Sequence, residues 1–98
     1  SSAEALLNIR RKLGPKVPLI VDGGIRRGSD VAKYLSMGAN YVGIGRPAMH
    51  GLIIDGGRGV NKIFEILNSE LKTFMYNSGC NDLKDLTLKK IILPKNLL

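Results

Sequence analysis

A single cysteine, Cys80, stands among 98 residues, so no disulfide can close within the chain and the core must be held by packing alone. Missing cystines suit a reducing, intracellular setting, which is the expected location. No uncharged apolar run approaches the roughly 20 residues of a membrane-spanning helix. The N-terminus is polar and helix-like, unlike a signal peptide. Tryptophan is absent, and the 3 tyrosines and 2 phenylalanines are not interleaved with basic residues into a surface for stacking bases. Acidic residues are scarce: 8 stand against 15 lysines and arginines, for a net charge of +7. The excess is scattered over Arg10, Arg11, Lys12, Arg26, Arg27, Lys84, Lys89, Lys90 and Lys95. Nucleic acid is therefore not the expected partner, whereas an anionic small molecule is. His50 is the only histidine. It follows a turn without a catalytic companion and reads as a surface or packed residue, and no metal site is expected. The chain opens on Ser1 rather than methionine, which suggests a piece cut from something longer.

Hydrophobic residues make up 44% and charged residues 23%, ordinary usage for a folded domain. Residues 3–13 are expected to form a helix, with Ser1 and Glu4 as a capping box, Leu6, Ile9 and Leu13 on one face, and Gly14 as the stop. Residues 17–21, continuously apolar after Pro15 and Pro18, read as a buried strand of a parallel sheet. A second helix runs to about Met37 from an N-cap at Ser29, with Asp30 in its first turn, Val31, Tyr34 and Leu35 inward, and Gly38 after it. Residues 41–44 form the second strand, completing a β–α–β unit. A glycine-rich connection spans 51–59. A long helix follows over 60–76, with Val60, Ile63, Phe64, Leu67, Leu71, Phe74 and Met75 at helical spacing and Asn77-Ser78-Gly79 closing it. Residues 81–86 add a helical turn. Two strands with both faces apolar need neighbours, so the segment is expected to belong to a larger sheet or barrel and to be poorly stable alone.

The chemistry concentrates at two strand ends. In Asp22-Gly23-Gly24-Ile25-Arg26-Arg27-Gly28 the glycines allow positive φ and close approach of backbone to a ligand. Arg26 or Arg27 can pair with phosphate oxygens, and the following helix offers the positive end of its dipole. Asp22 would repel a phosphate and is expected to accept hydrogen bonds from ligand hydroxyls instead. In Gly43-Ile44-Gly45-Arg46-Pro47, Gly45 can present its N–H, Arg46 adds charge, and Pro47 suits the first position of a helix. Together the turns describe one phosphate site at the ends of consecutive parallel strands, as in open α/β sheets and β/α barrels.

The run Asp22-Gly-Gly-Ile-Arg-Arg-Gly-Ser-Asp-Val-Ala-Lys33, then Met37-Gly-Ala39 and Gly43-Ile-Gly-Arg-Pro47, resembles the C-terminal part of the FMN-dependent α-hydroxy-acid dehydrogenases. These include glycolate and hydroxyacid oxidases, flavin-type lactate dehydrogenases and mandelate dehydrogenase. The similarity continues through Gly51-Leu52, Gly59-Val60 and the long helix to Gly79-Cys80. The resemblance implies an α/β fold in which residues 1–98 are the C-terminal portion of one barrel domain: the last two βα units of a TIM (β/α)8 barrel and the helix before them. It implies FMN as cofactor, bound by Asp22, Gly23, Gly24, Ile25, Arg26, Gly45 and Arg46. It implies oxidation of an (S)-2-hydroxy acid to a 2-oxo acid, in a homo-oligomer, tetrameric in the family. The family's catalytic histidine and substrate arginine lie upstream of the matching stretch, so no catalytic residue is expected in this chain and the chain alone is expected to be inactive. Tyr34-Leu-Ser-Met37 departs from a smaller, Ala-Leu-rich stretch, and His50 stands where the family often has an aromatic residue. The alternatives are another phosphate-binding barrel, of the inosine-monophosphate dehydrogenase or type 2 isopentenyl-diphosphate isomerase kind, and a non-catalytic nucleotide-binding module.

Overall fold

The computed structural model describes residues 2–97. Ser1, the expected capping partner of Glu4, lies outside them. The elements are α1 (Ser2–Leu13), β1 (Ile20–Asp22), α2 (Gly28–Ser36), β2 (Tyr41–Gly43) and α3 (Arg46–Asn77). Short 3-10 turns follow at Leu83–Asp85, Leu88–Lys90 and Lys95–Leu97. The strands pair in parallel, with Ile20 opposite Tyr41, Val21 opposite Val42 and Asp22 opposite Gly43. Their C-terminal ends therefore lie side by side, with α2 as the crossover between them.

α1 ends where Gly14 takes φ +77° and its N–H bonds the Arg10 carbonyl at 2.9 Å. Its buried residues are Leu6 and Leu7, whereas Ile9 and Leu13, expected on the packed face, are exposed. The two-stranded sheet offers α1 only a narrow surface, and the stripe through Ile9 and Leu13 meets no second layer. β1 is also shorter and later than expected. Val17 and Pro18 have no strand beside them, and the Leu19 N–H is taken by the Asn40 side chain at 2.8 Å. Arg10 ties this corner together. Its guanidinium donates to the carbonyls of Gly14 (2.8 Å), Val17 (2.7 Å) and Gly38 (3.0 and 2.7 Å) and to Asn40 Oδ1 (2.8 Å). One side chain thus joins the end of α1, the lead-in to β1 and the α2–β2 turn.

α2 is capped at Arg27, in extended backbone, rather than at Ser29. The cap is made by Asp30, whose Oδ2 accepts the N–H groups of Arg26 (3.1 Å) and Arg27 (3.0 Å). Ala32 and Ser36 are buried on α2 together with Gly28, while Val31, Tyr34 and Leu35, expected inward, are only half-buried. The Ser36 hydroxyl is buried without a hydrogen-bond partner among the described residues. Gly38, at φ +109°, closes the helix as expected.

The expected loop over residues 51–59 is helical instead. α3 begins directly at Arg46 and breaks only at Asp55 and Gly56, whose backbone is non-helical. At this kink the segments on either side meet through Gly51 and Gly59: a Cβ built on either glycine would strike the other's backbone. Gly51 and Gly59, read as the ends of a linker, are a close-packed helix contact, while Gly56 and Gly57 between them stand in open space. The end of α3 follows expectation, with Ser78 as C-cap and Gly79 at φ +73°.

Two small cores flank α2. Leu6, Leu7, Val21, Met37 and Ala39 form one between α1 and the sheet, and Ala32, Cys80 and Leu86 form the other, against Leu71, Phe74 and Met75. The opposite face of the sheet is bare: Ile20 is 75% and Tyr41 65% exposed, although they sit at matching register. The Cα radius of gyration, 14.2 Å, exceeds the roughly 13 Å of a closed domain of this length. Both observations fit the expectation that the chain needs neighbouring strands.

Candidate functional site

Asp22 ends β1 and Gly43 ends β2, so the parallel register sets the two glycine–arginine turns next to each other. The turns border an open cavity of ≈ 1200 Å³, and all seven residues singled out from the sequence line it: Asp22, Gly23, Gly24, Ile25, Arg26, Gly45 and Arg46. Gly23 and Gly24 take φ +88° and +74°, a region that L side chains rarely adopt, and no atom lies within 4 Å of where their Cβ would stand. The same space is open at Gly45. Side chains at these positions would occupy the room that bare backbone leaves for a ligand. Ile25 is different: it is 3% exposed, so its side chain anchors the turn and only its backbone is suited to a ligand.

The cavity carries two positive side chains against one negative, Arg26 and Arg46 against Asp22. Among the described residues, the side chains of Arg26 and Arg46 have no hydrogen-bond or ion-pair partner, so neither guanidinium is neutralised within the chain. The α3 N-terminus, with Gly45 as N-cap and Pro47 beside it, has no side-chain cap and no acidic residue in its first turn. Its orphan N–H groups and positive dipole end thus stand beside Arg46 at the cavity. α2 is not equivalent. Two carboxylates stand at its start: Glu70 accepts the Gly28 N–H, and Asp30 accepts the N–H groups of Arg26 and Arg27 just before it. The anion-directed helix end belongs to α3.

The choice between Arg26 and Arg27 is resolved by geometry. Arg27 points away from the cavity and binds Glu70 on α3 through Nε at 2.7 Å and through its terminal nitrogen. This hydrogen bond and the attraction of the paired charges raise the guanidinium pKa. The bond from Arg27, with one from the Gly28 N–H at 2.9 Å, holds the Glu70 carboxyl below the ordinary carboxylate range. Asp22 lines the cavity with no partner of its own among the described residues, which leaves its carboxylate available to ligand hydroxyls.

Sequence reasoning missed His50 and Ile63 as lining residues. With 51–59 read as a loop starting from a turn, His50 had no fixed direction. Once helix begins at Arg46, His50 lies four residues on and shares its face. The signal was Pro47, which suits the first turn of a helix. Among the described residues, no group of three or more His, Cys, Asp or Glu could hold a metal ion, and no helix is long and apolar enough to cross a membrane.

Comparison with known proteins identifies the setting of this site. The family model of the FMN-dependent dehydrogenases matches residues 1–93. An L-lactate oxidase of Lentilactobacillus hilgardii is 42% identical over 92 residues, covering 94% of this chain and 25% of that protein. A 2-hydroxyacid oxidase of Dictyostelium discoideum is 48% identical over 96 residues, covering 98% of this chain and 24% of the relative. Among solved structures, the lactate oxidase of Pediococcus acidilactici superposes with a TM-score of 0.83 at 42% identity, over 86% of this chain and 23% of that one. A flavocytochrome b2 with bound sulfite superposes with a TM-score of 0.86 at 36% identity, over 97% of this chain and 25% of its own. The chain spans about a quarter of the length of the relatives it matches. Sequence and backbone agree over nearly the whole of it: this chain belongs to the FMN-dependent dehydrogenase family.

Proposed function

We propose that this chain forms the cofactor-phosphate end of a flavoprotein that oxidises 2-hydroxy acids to 2-oxo acids, its two β–α units being the last two of an eight-stranded barrel. One observation carries the reading: seven residues chosen from two separate motifs line a single cavity at the C-terminal ends of adjacent parallel strands, with two unneutralised arginines and an uncapped helix N-terminus. Ligand sites of β/α barrels lie at that end of the strands. The bare sheet face carrying Ile20 and Tyr41 becomes barrel interior once the remaining strands are present.

The residues fit FMN. Its phosphate matches Arg26, Arg46, the backbone of Gly23, Gly24 and Gly45, and the open start of α3. Its ribityl hydroxyls match the unpartnered carboxylate of Asp22, set at the strand end. Bound FMN supplies the two-electron acceptor for hydroxy-acid oxidation. The part of this chain is to hold that cofactor by its charged end and fix its depth and orientation, since Arg26 and Arg46 reach from different elements. Proton removal from the substrate falls to residues outside the chain, so the 98 residues alone should oxidise no hydroxy acid. The names of the relatives, lactate, glycolate and 2-hydroxyacid oxidases, favour this reading over a nucleotide or isoprenoid barrel.

The test is reconstitution of the complete protein, stripped of cofactor, with FMN, riboflavin or inosine monophosphate, followed by assay of 2-oxo acid formation from lactate and glycolate. Preferential uptake of FMN and formation of 2-oxo acid are expected. Uptake of the nucleotide in place of FMN would overturn the proposal.

A further inference from the structure

Arg26 and Arg27 are neighbours in the turn beside the cavity, yet only Arg26 lines it. Chain direction alone does not decide this, because the turn over residues 23–28 has two flexible glycines at its start and one at its end. What fixes it comes from α3. One oxygen of Glu70 accepts the Gly28 N–H at 2.9 Å, while the other accepts Arg27 Nε at 2.7 Å and pairs with the Arg27 terminal nitrogen. Gly28 itself lies against α3 so closely that a Cβ would meet the backbone of Leu67 and Leu71 and the Glu70 side chain. Asp30 meanwhile holds the N–H groups of Arg26 and Arg27. Arg27 is in extended backbone (φ −128°, ψ 157°), where successive side chains project to opposite sides. With Arg27 tied to α3, its neighbour Arg26 is the one of the pair left on the cavity side, which it lines.

We infer that Glu70 is a positioning residue for the cofactor phosphate: by clamping Arg27 and the Gly28 N–H to α3, it selects Arg26 as the arginine that faces the ligand. This rests on the proposed FMN site and deepens it. Glu70 does not line the cavity and acts only through the turn it holds. Without the clamp, the first turn of α2 keeps its Asp30 cap but loses its tether, and Arg26 is free to leave the phosphate direction.

The experiment compares FMN with riboflavin, which lacks the phosphate, by titrating the complete protein stripped of cofactor and following flavin fluorescence. The quantity read is the ratio of the two affinities. Arg26→Ala is expected to lower the FMN preference about tenfold or more, the loss of one hydrogen-bonded charge contact. Glu70→Ala is expected to lower it about threefold to fivefold with riboflavin affinity little changed. Glu70→Gln, which keeps the shape and can still accept the Gly28 N–H, should lie between Glu70→Ala and wild type. It also serves if Glu70→Ala does not fold. In the double variant Arg26→Ala/Glu70→Ala, the preference should be no lower than in Arg26→Ala alone, because Glu70 acts through Arg26. Equal losses of FMN and riboflavin affinity in Glu70→Ala, or additive losses in the double variant, would overturn the inference and leave Glu70 a structural residue. An unchanged preference in Arg26→Ala would instead overturn the phosphate site on which it rests.

Discussion

Replacing Arg46 by alanine removes a positive charge from the cavity without disturbing any packing that the structure shows. Arg46 is exposed and makes no ion pair or side-chain hydrogen bond among the described residues, so nothing in the protein is left unsatisfied when it goes. The effect should therefore appear in cofactor affinity and not in stability. A hydrogen bond to a charged group contributes about 1.5–3 kcal/mol, and the phosphate keeps Arg26 and the glycine N–H groups, which points to the lower half of that range. FMN affinity should fall by about 10- to 50-fold, at about 1.4 kcal/mol per decade. Arg46→Lys keeps the charge but loses the planar fork, so it should fall between wild type and alanine. Arg27→Ala should weaken binding less than Arg46→Ala, because Arg27 points at Glu70 and away from the cavity. The assay is equilibrium titration of the cofactor-free complete protein with FMN at two salt concentrations, alongside thermal unfolding of each variant. The wild-type affinity should depend more steeply on salt than that of Arg46→Ala. Unchanged affinity in Arg46→Ala, or a loss matched by an equal fall in apoprotein stability, would refute the reasoning.

Arg10→Ala should destabilise the complete protein by about 2–4 kcal/mol, since three carbonyls and Asn40 Oδ1 lose a shared donor; an unchanged denaturation midpoint would count against that role. Ser36→Ala should be neutral or stabilising by about 1 kcal/mol, because the hydroxyl it removes is buried and unpartnered among the described residues; clear destabilisation in the same assay would show that the hydroxyl has a partner in the complete protein. Glu70 and Asp85 are both held below the ordinary carboxylate range, Glu70 chiefly by the bond from Arg27 and Asp85 by the N–H groups of Asp82 and Asn81. Their contribution to stability should be fully present above that range and lost as pH falls through the lowered values, so Glu70→Gln and Asp85→Asn should flatten the acid limb of a stability–pH profile and leave its neutral part unchanged in slope.

What the sequence disclosed and what it withheld divide along a physical line. The glycine–arginine turns were legible because they are local: Gly23 and Gly24 need positive φ, and that demand is written in their own identity. Parallel pairing followed from two apolar segments separated by one helix. Most of the errors involve contacts that the local sequence does not display. Ser29 is a better N-cap by type than Arg27, yet α2 begins at Gly28 after Arg27, where Glu70, 42 residues further on, accepts the Gly28 N–H beside the Asp30 cap. Residues 51–59 look like a linker by glycine count, yet Gly51 and Gly59 are small because two helical segments touch there. Ile9 and Leu13 carry a correct helical period, but a period cannot show that the sheet is too narrow to cover it. Arg10 is one of the scattered basic residues by sequence, and nothing local shows that its guanidinium reaches Gly38 and Asn40, 28 and 30 residues on, as well as nearby Gly14 and Val17. The same line runs through the site. Most residues lining the cavity were legible in short motifs, His50 and Ile63 apart, whereas the carboxylate that holds Arg27 could be found only once α3 lay across the turn.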